Sequence, residues 1–390
     1  MGEEIQASVK TRIPRLIDIL SHNDYRKMLL MPDSKLGEIA VCNPARLGEH
    51  FVYRVRVRAD NAYHEKSLVK YQKINNSLRL NGNPRTILSP EYEYEKDGIE
   101  DPRISKNEEY NIVYTAFNED GQNGGAKIAL ATTEDFKRIK KHGIIGPEIR
   151  IKEVTEVLGE NSYYGKILNR ERRDLENQNL PLNPFIMDKD ATIVYTPSGK
   201  KILLHRIANA IQATPFNSFE DLQKKEFWLE NLKKLENQTI LYPSRKDSSE
   251  SWASEKVGLG GTPRDIEGRL IGHIHGVEKK ITGSLTEYTY RSTFAEFDPE
   301  TYKITSILRD SPLNPHPDFA LIEKHENDVT KKYINFATEV YLSLRGTSKV
   351  CSLSGAGDMG IELRAVDKDW LIRSLSHPHN SIKNWESVAP

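Results

Sequence analysis

A long succession of short strand-like runs, each closed by polar turn residues, constrains this chain more than any other feature. Phe51-Val52-Tyr53-Arg54-Val55-Arg56-Val57-Arg58 alternates apolar with basic side chains, the period-two pattern of a half-buried strand. Residues 67–71 read as its partner, and 110–117 and 126–132 follow. Residues 192–195 and 202–206 flank Thr196-Pro197-Ser198-Gly199-Lys200, a hairpin signal. Residues 269–275 pair with 288–297, and 333–343, 349–354 and 360–365 end the series. About five groups of antiparallel strands, spaced by some tens of residues, predict an all-β propeller or sandwich.

Three segments stand outside that pattern. In residues 1–32, Ile13, Leu16, Ile17 and Leu20 recur at helical spacing before Pro32, which predicts an N-terminal helical arm. The remainder, 33–390, reads as one catalytic domain with inserts at about 148–187 and 217–245. Within the second, Phe219, Leu222, Phe227, Leu229, Leu232 and Leu235 lie among charges, as in an amphipathic helix or charged lid. The Ser- and Gly-rich loop 243–262 is placed near the active face. Arm and inserts offer surfaces to neighbouring subunits, so a homo-oligomer is an expected partner.

Charge and cysteine content narrow the function. Lys+Arg and Asp+Glu balance at 56 each, which gives no electrostatic case for nucleic acid or an anionic membrane surface. The basic runs 137–141 and Lys331-Lys332 read as solvated faces. Two cysteines, Cys42 and Cys351, exclude a disulfide framework and a Cys-rich metal site, and the scattered histidines lack ligand spacing. The first residues carry no apolar signal core, and no apolar run approaches the ~18 residues that span a bilayer. A soluble cytoplasmic protein is the expectation.

The chemistry concentrates in a few strings. In Gly98-Ile99-Glu100-Asp101-Pro102-Arg103-Ile104, Pro102 pushes Asp101 out of helical geometry, so the acid projects from the start of a strand or from a loop. Taken alone, the string is better explained by a solvated turn Asp. Lys189-Asp190-Ala191, Leu204-His205-Arg206 and Ile274-His275-Gly276 each put a cationic or proton-carrying group near a strand edge in a different strand group. Brought together, Lys189, Arg206 and His275 form an anion pocket; separately, they are surface charges or a satisfied core histidine.

These strings, with Asn43-Pro44-Ala45, the run 127–132 and Ser354-Gly355-Ala356-Gly357-Asp358, occur in the order seen in glycoside hydrolase family 130, which the chain resembles over residues 43 to about 365. The resemblance implies a five-bladed β-propeller with one axial active site, and an inverting phosphorylase of β-mannosides that uses inorganic phosphate as co-substrate and needs no cofactor. It assigns the acid to Asp101, with the proton passing through a sugar hydroxyl. Phosphate binding falls to Lys189, Arg206 and His275. Sugar binding falls to Asn43, Glu100, Arg103, Asp358 and Arg58, with Arg56 and Arg54 the alternative registers. Arg264, His273 and Gly357 depart from the family pattern, and these departures are expected near the sugar sites. A hydrolase on the same scaffold needs a base, for which Glu255, Glu267 and Glu296 are candidates. A non-catalytic glycan-binding propeller is the third reading.

Overall fold

The computed structural model describes residues 25–58, 65–75, 78–118, 125–177, 185–310, 313–314, 321–325, 328–342 and 348–389. Strand β1 (Tyr25–Leu30) comes first. A meander follows, formed by β2 (Glu38–Leu47), β3 (His50–Arg58), β4 (Glu65–Ile74) and β5 (Leu80–Leu88). The second is β6 (Gly98–Lys106), β7 (Tyr110–Asn118), β8 (Gly125–Thr133) and β9 (Lys140–Ile144). The third is β10 (Asp188–Tyr195), β11 (Lys201–Ile207), β12 (Ala210–Phe216) and β13 (Thr239–Leu241). The fourth contains β14 (Lys256–Leu259), β15 (Arg264–Ile266), β16 (Arg269–Thr282), β17 (Leu285–Phe297) and β18 (Ile304–Ile307). After β19 (Leu321–His325), the fifth is formed by β20 (Asp328–Leu342), β21 (Lys349–Ala356) and β22 (Gly360–Asp367).

The fold is mostly β. The strand pairs expected from sequence are present: residues 51–58 pair with 65–72, β10 with β11, and His275 with Ser292 in the long β16–β17 hairpin. The first insert folds as α1 (Ile151–Leu158) and α2 (Tyr163–Asn177). The second gives three short helices, α3 (Phe219–Leu222), α4 (Lys225–Leu232) and α5 (Leu235–Gln238). A terminal helix, α6 (Lys368–Ser376), is capped by Asp367, whose carboxylate accepts from the Trp370 N–H at 2.9 Å.

The helical arm does not survive where the structure describes it. Its helical repeat, residues 13–20, lies outside the described residues. Residues 25–30 form β1, which pairs antiparallel with β22 from Tyr25↔Ala365 onward and supplies the fourth strand of the last group. Edge pairing with a distant strand overrides a weak local helical tendency.

Five apolar clusters lie between successive groups. Val52, Val69 and Ile99 meet Tyr114 and Phe136 between the first two. Ile128 and Leu130 meet Ile193 and Leu203 between the second and third, with Val154, Tyr164 and Trp228 of the helical inserts packed on. Leu204 and Ile211 meet Val257 and Ile274 next. Ile271 and Phe294 meet Val340, Val350 and Leu371. Finally Val41 and Phe51 of the first group meet Leu353 and Leu363 of the last. Each large side chain buried this way contributes about 1.5–3 kcal/mol, so these seams hold the groups in a fixed sequence. Cys42 and Cys351 are buried free thiols.

Candidate active site

One backbone device recurs in the leading strands of the first three groups. β2 shifts register between Cys42 and Ala45, β6 between Glu100 and Arg103, and β10 between Lys189 and Thr192. Each bulge holds one residue in the left-handed region: Asn43 at φ 49°, Asp101 at φ 51° and Asp190 at φ 57°. Asn and Asp are the side chains that best tolerate this conformation. Pro44 and Pro102 follow two of them, where a missing N–H costs no ladder bond. The bulge turns the side chain off the sheet. In the first and third groups the neighbouring strand presents an arginine across from the bulged strand, Arg54 opposite Cys42 and Arg206 opposite Lys189; in the fourth group His275 lies opposite Gly258 of β14.

These residues converge on one cavity of about 320 Å³, near the lower end of the range for small-ligand sites, roughly 300–1,000 Å³. Asn43, Arg54, Glu100, Asp101 and Asp358 line one part, and Lys189, Asp190, Arg206, Lys256 and His275 another. Met187, Tyr290, Lys332, Ile334 and Phe336 complete the wall. Asn43 Nδ2 donates to Asp101 Oδ1, and Arg54 pairs with Glu100 and lies 3.9 Å from Asp101. Lys189 Nζ reaches Glu100 at 3.4 Å. Arg206 pairs with Asp190 and donates to the Ala208 carbonyl at 2.8 Å. His275 Nε2 stands 3.6 Å from Asp190 Oδ2, beyond hydrogen-bond range, and its buried Nδ1 has no hydrogen-bond partner among the described residues.

Electrostatics separates the two adjacent carboxyls. Burial pushes Asp101 above the ordinary Asp range, Glu100 adds to the rise, and Arg54 only partly offsets it. Burial also opposes ionisation of Glu100, but Arg54 and Lys189 hold that carboxyl below its usual range. A pair pushed apart in this way divides into a proton holder and a standing charge. Asp190 is held well below the usual range: burial opposes its ionisation, and Arg206 and His275 outweigh it. Burial and Arg206 pull Lys256 down to about 7. Burial lowers His275 to about 3 despite Asp190, so the imidazole is uncharged at neutral pH. The anion end therefore has the fixed cations Lys189 and Arg206, the ionised Asp190 carboxylate paired with Arg206, one lysine poised near neutrality and a neutral ring. It is not the set of three cations expected from sequence.

The structure brings Asp101, Lys189, Arg206, His275, Asn43, Glu100 and Asp358 together. It leaves two expected residues out. Arg58 is exposed at the end of β3, and Arg54 takes the place in the cavity, because Arg54 is the arginine that pairs across to Cys42 beside the bulge. Arg103 is fully buried and does not line the cavity; past Pro102 its guanidinium turns inward, 5.2 Å from the Phe336 ring centre. Glu255, Glu267 and Glu296 do not line it either. Glu267 pairs with Lys368 and Glu296 with Arg269. Lys332 was expected on a solvated face but lines the wall. Arg264 and His273 lie away from the cavity: Arg264 reaches Glu339 and the Arg46 carbonyl, and His273 bonds Ser352.

Asp190, Lys256 and Tyr290 escaped the sequence reading. Asp190-Ala191 repeats the pattern of Asn43-Pro44 and Asp101-Pro102, an Asn or Asp before a small or cyclic residue, and that repeat marks it. Nothing local marks Lys256 or Tyr290. Among the described residues, no cluster of three or more His, Cys, Asp or Glu side chains could hold a metal ion, and no helix is long and apolar enough to cross a membrane.

Residues 38–367 match the model of the family described as beta-1,4-mannooligosaccharide phosphorylase. The chain belongs to glycoside hydrolase family 130. That makes it a member of a family of carbohydrate-active enzymes. No curated protein sequence matches it. Among solved structures, it is similar to a β-1,2-mannobiose phosphorylase from Listeria innocua in complex with β-1,2-mannobiose. The identity is 16%, coverage is 91% of this chain and 99% of the other, and the TM-score is 0.57. It is also similar to a mannose phosphorylase from Leishmania mexicana in complex with a phosphate ion, at 14% identity, 95% and 94% coverage and a TM-score of 0.52. At such identities the likeness is one of fold.

Proposed function

We propose that this protein is an inverting glycoside phosphorylase on a five-bladed β-propeller, cleaving β-mannosides with phosphate to give α-mannose 1-phosphate and a shortened sugar. The propeller reading is supported by five antiparallel groups, five seams between neighbours, and contact of the last group with the first.

One observation carries the reaction: a buried carboxyl biased toward its protonated form, Asp101, shares a cavity with Lys189, Arg206, Lys256 and His275. Hydrolysis with inversion needs two carboxyl groups, an acid and a base that activates water. Phosphate is already an anion and needs no base, so cations replace the second carboxylate. In the proposed reaction an oxygen of a phosphate held by Lys189, Arg206, Lys256 and an N–H of the neutral His275 ring attacks the anomeric carbon from the face opposite the leaving oxygen. The C–O bond to the leaving sugar breaks, and the proton of Asp101 ends on that oxygen. Asn43 donates to Asp101 and orients it, while Glu100, fixed by Arg54 and Lys189, keeps a standing negative charge beside it. Asp358 and Arg54, which line the cavity, are assigned to the sugar hydroxyls in this reading. The family description and the mannobiose and phosphate complexes of the two similar structures support the choice of mannoside and phosphate.

The hydrolase reading loses its candidate bases, since Glu255, Glu267 and Glu296 do not line the cavity. The test is to incubate the protein with β-1,2- and β-1,4-mannobiose with and without phosphate. Sugar 1-phosphate that forms only with phosphate is the expected result. Mannose release without phosphate sinks the phosphorylase reading, and binding without turnover of any mannoside leaves a glycan-binding protein.

A further inference from the structure

The β16–β17 hairpin runs on past the cavity. His275 and Tyr290 line it, but the pairing continues without a register shift to Thr282↔Leu285. β20 lies parallel to β17 from Leu285↔Val329 to Tyr290↔Ile334. Paired residues of a sheet share a face, and the face alternates along each strand. His275, Tyr290, Lys332 and Ile334 face the cavity, so Tyr288 and Lys279, which pair with each other, share that side; Tyr288 also pairs with Lys332. Two contacts agree with this: Lys256 Nζ is 5.1 Å from the Tyr290 ring centre, and Lys279 Nζ is 5.5 Å from that of Tyr288.

The reverse face has the opposite character. Glu278 pairs there with Arg291 at 2.8 Å and Lys280 at 3.3 Å, and Glu287 sits opposite Lys280. The hairpin thus turns Glu278 and Glu287 away from the cavity, while its Lys279, Tyr288 and Tyr290, with Lys332 of β20, stand on the cavity side beyond Lys256 of the anion end. Asp358, a carboxyl that also lines the cavity, is biased toward its neutral form by burial, against Arg54, Arg56 and, more weakly, Lys332. With a rise of about 3.3 Å per residue, Tyr288 stands about 7 Å beyond Tyr290, roughly one sugar ring further out.

Phenol rings cover the apolar face of a pyranose, and ammonium groups attract an anionic substituent. We propose that this wall is the leaving-sugar side of the site and that it selects an anionic acceptor, a sugar bearing a carboxylate or phosphate ester. The reaction it serves rests on the phosphorylase reading above; the binding preference does not.

The test runs the reaction in reverse, with α-mannose 1-phosphate as donor and glucuronic acid or glucose as acceptor. The wild type should favour glucuronic acid by about fivefold or more in kcat/KM at ~20 mM salt, with the ratio approaching one at ~0.5 M salt as screening sets in. Lys279→Gln should cut the ratio by about threefold, the scale of one exposed charge, and Lys279→Glu should cut it further. Equal or better use of glucose by the wild type overturns the proposal. So does a Lys279→Gln variant whose phosphate KM changes while its acceptor ratio does not, because the wall would then serve phosphate. Calorimetric titration of glucuronic acid and glucose into the same proteins repeats the comparison without turnover. A protein that turns over no mannoside but binds glucuronic acid in a Lys279-dependent way defeats the phosphorylase reading and supports the wall. Equal binding of both sugars defeats the wall.

Discussion

Replacing Gly258 with alanine puts a methyl group into the anion end of the cavity. A Cβ there would lie 2.2 Å from His275 Cε1, 2.3 Å from Asp190 Oδ2 and 2.6 Å from His275 Nε2. Carbon contacts settle near 3.5–4.0 Å, so imidazole and carboxylate must retreat by about 1 Å or more. Neither is a flexible tip. Asp190 is tied to Arg206, and the His275 ring centre lies 4.4 Å from that of Phe336. The overlap is therefore relieved by displacing the Asp190, Arg206 and His275 constellation as a unit. Overpacking of this kind costs about 1–3 kcal/mol of stability, whereas a ~1 Å misplacement of catalytic groups costs about 100-fold in rate. In phosphorolysis of β-mannobiose, Gly258→Ala should lose about 100-fold in kcat/KM for phosphate while its melting temperature falls by only a few degrees. Wild-type phosphate kinetics from a folded Gly258→Ala protein would refute the placement of the oxyanion beside His275 and Arg206.

Asp101→Asn should lower turnover by about 10²–10⁴-fold, the scale of general acid catalysis, with the fold intact; an active variant removes Asp101 from the reaction. Lys256 loses its proton as pH rises through about 7, so wild-type kcat/KM for phosphate should fall above that pH. Lys256→Arg, whose guanidinium stays charged to beyond about pH 12, should hold it level, and identical pH profiles would contradict the assignment. Glu339, buried beside Arg264, is pushed up to about 7 by burial. Its proton is retained on folding between about pH 4.5 and 7, so ionisation costs stability as pH rises, by roughly 3 kcal/mol above pH 7 at ~1.4 kcal/mol per pKa unit. Glu339→Gln should melt higher than wild type above pH 7 and match it near pH 4; a gap that does not change with pH would count against this.

The strands were legible where their information is local. Alternation in residues 51–58 and the Thr196-Pro197-Ser198-Gly199 turn reflect faces and turns that neighbouring residues alone dictate. The first strand was not, because Tyr25–Leu30 owes its conformation to β22, more than three hundred residues along the chain. Arg54, Arg56 and Arg58 share one face of β3, and sequence alternation cannot rank them. The bulge at Asn43 on β2 does, by setting Arg54 against Cys42. Asp101, Lys189, Arg206 and His275 were legible because each stands in a short string whose order along the chain matches the family; Asp190, in the same string as Lys189, was not, because its bulge shows in the pairing of β10 with β11. Lys256, Tyr290 and Lys332 enter only through the pairing of β14, β17 and β20, and no local pattern encodes that pairing.

A crystal soaked in phosphate tests the site most directly. The oxyanion should lie within about 3 Å of Lys189 Nζ, the Arg206 guanidinium and a ring nitrogen of His275, with Asp101 facing it across room for one sugar ring. Phosphate bound away from these three side chains, or on the same side of the sugar space as Asp101, would contradict the account.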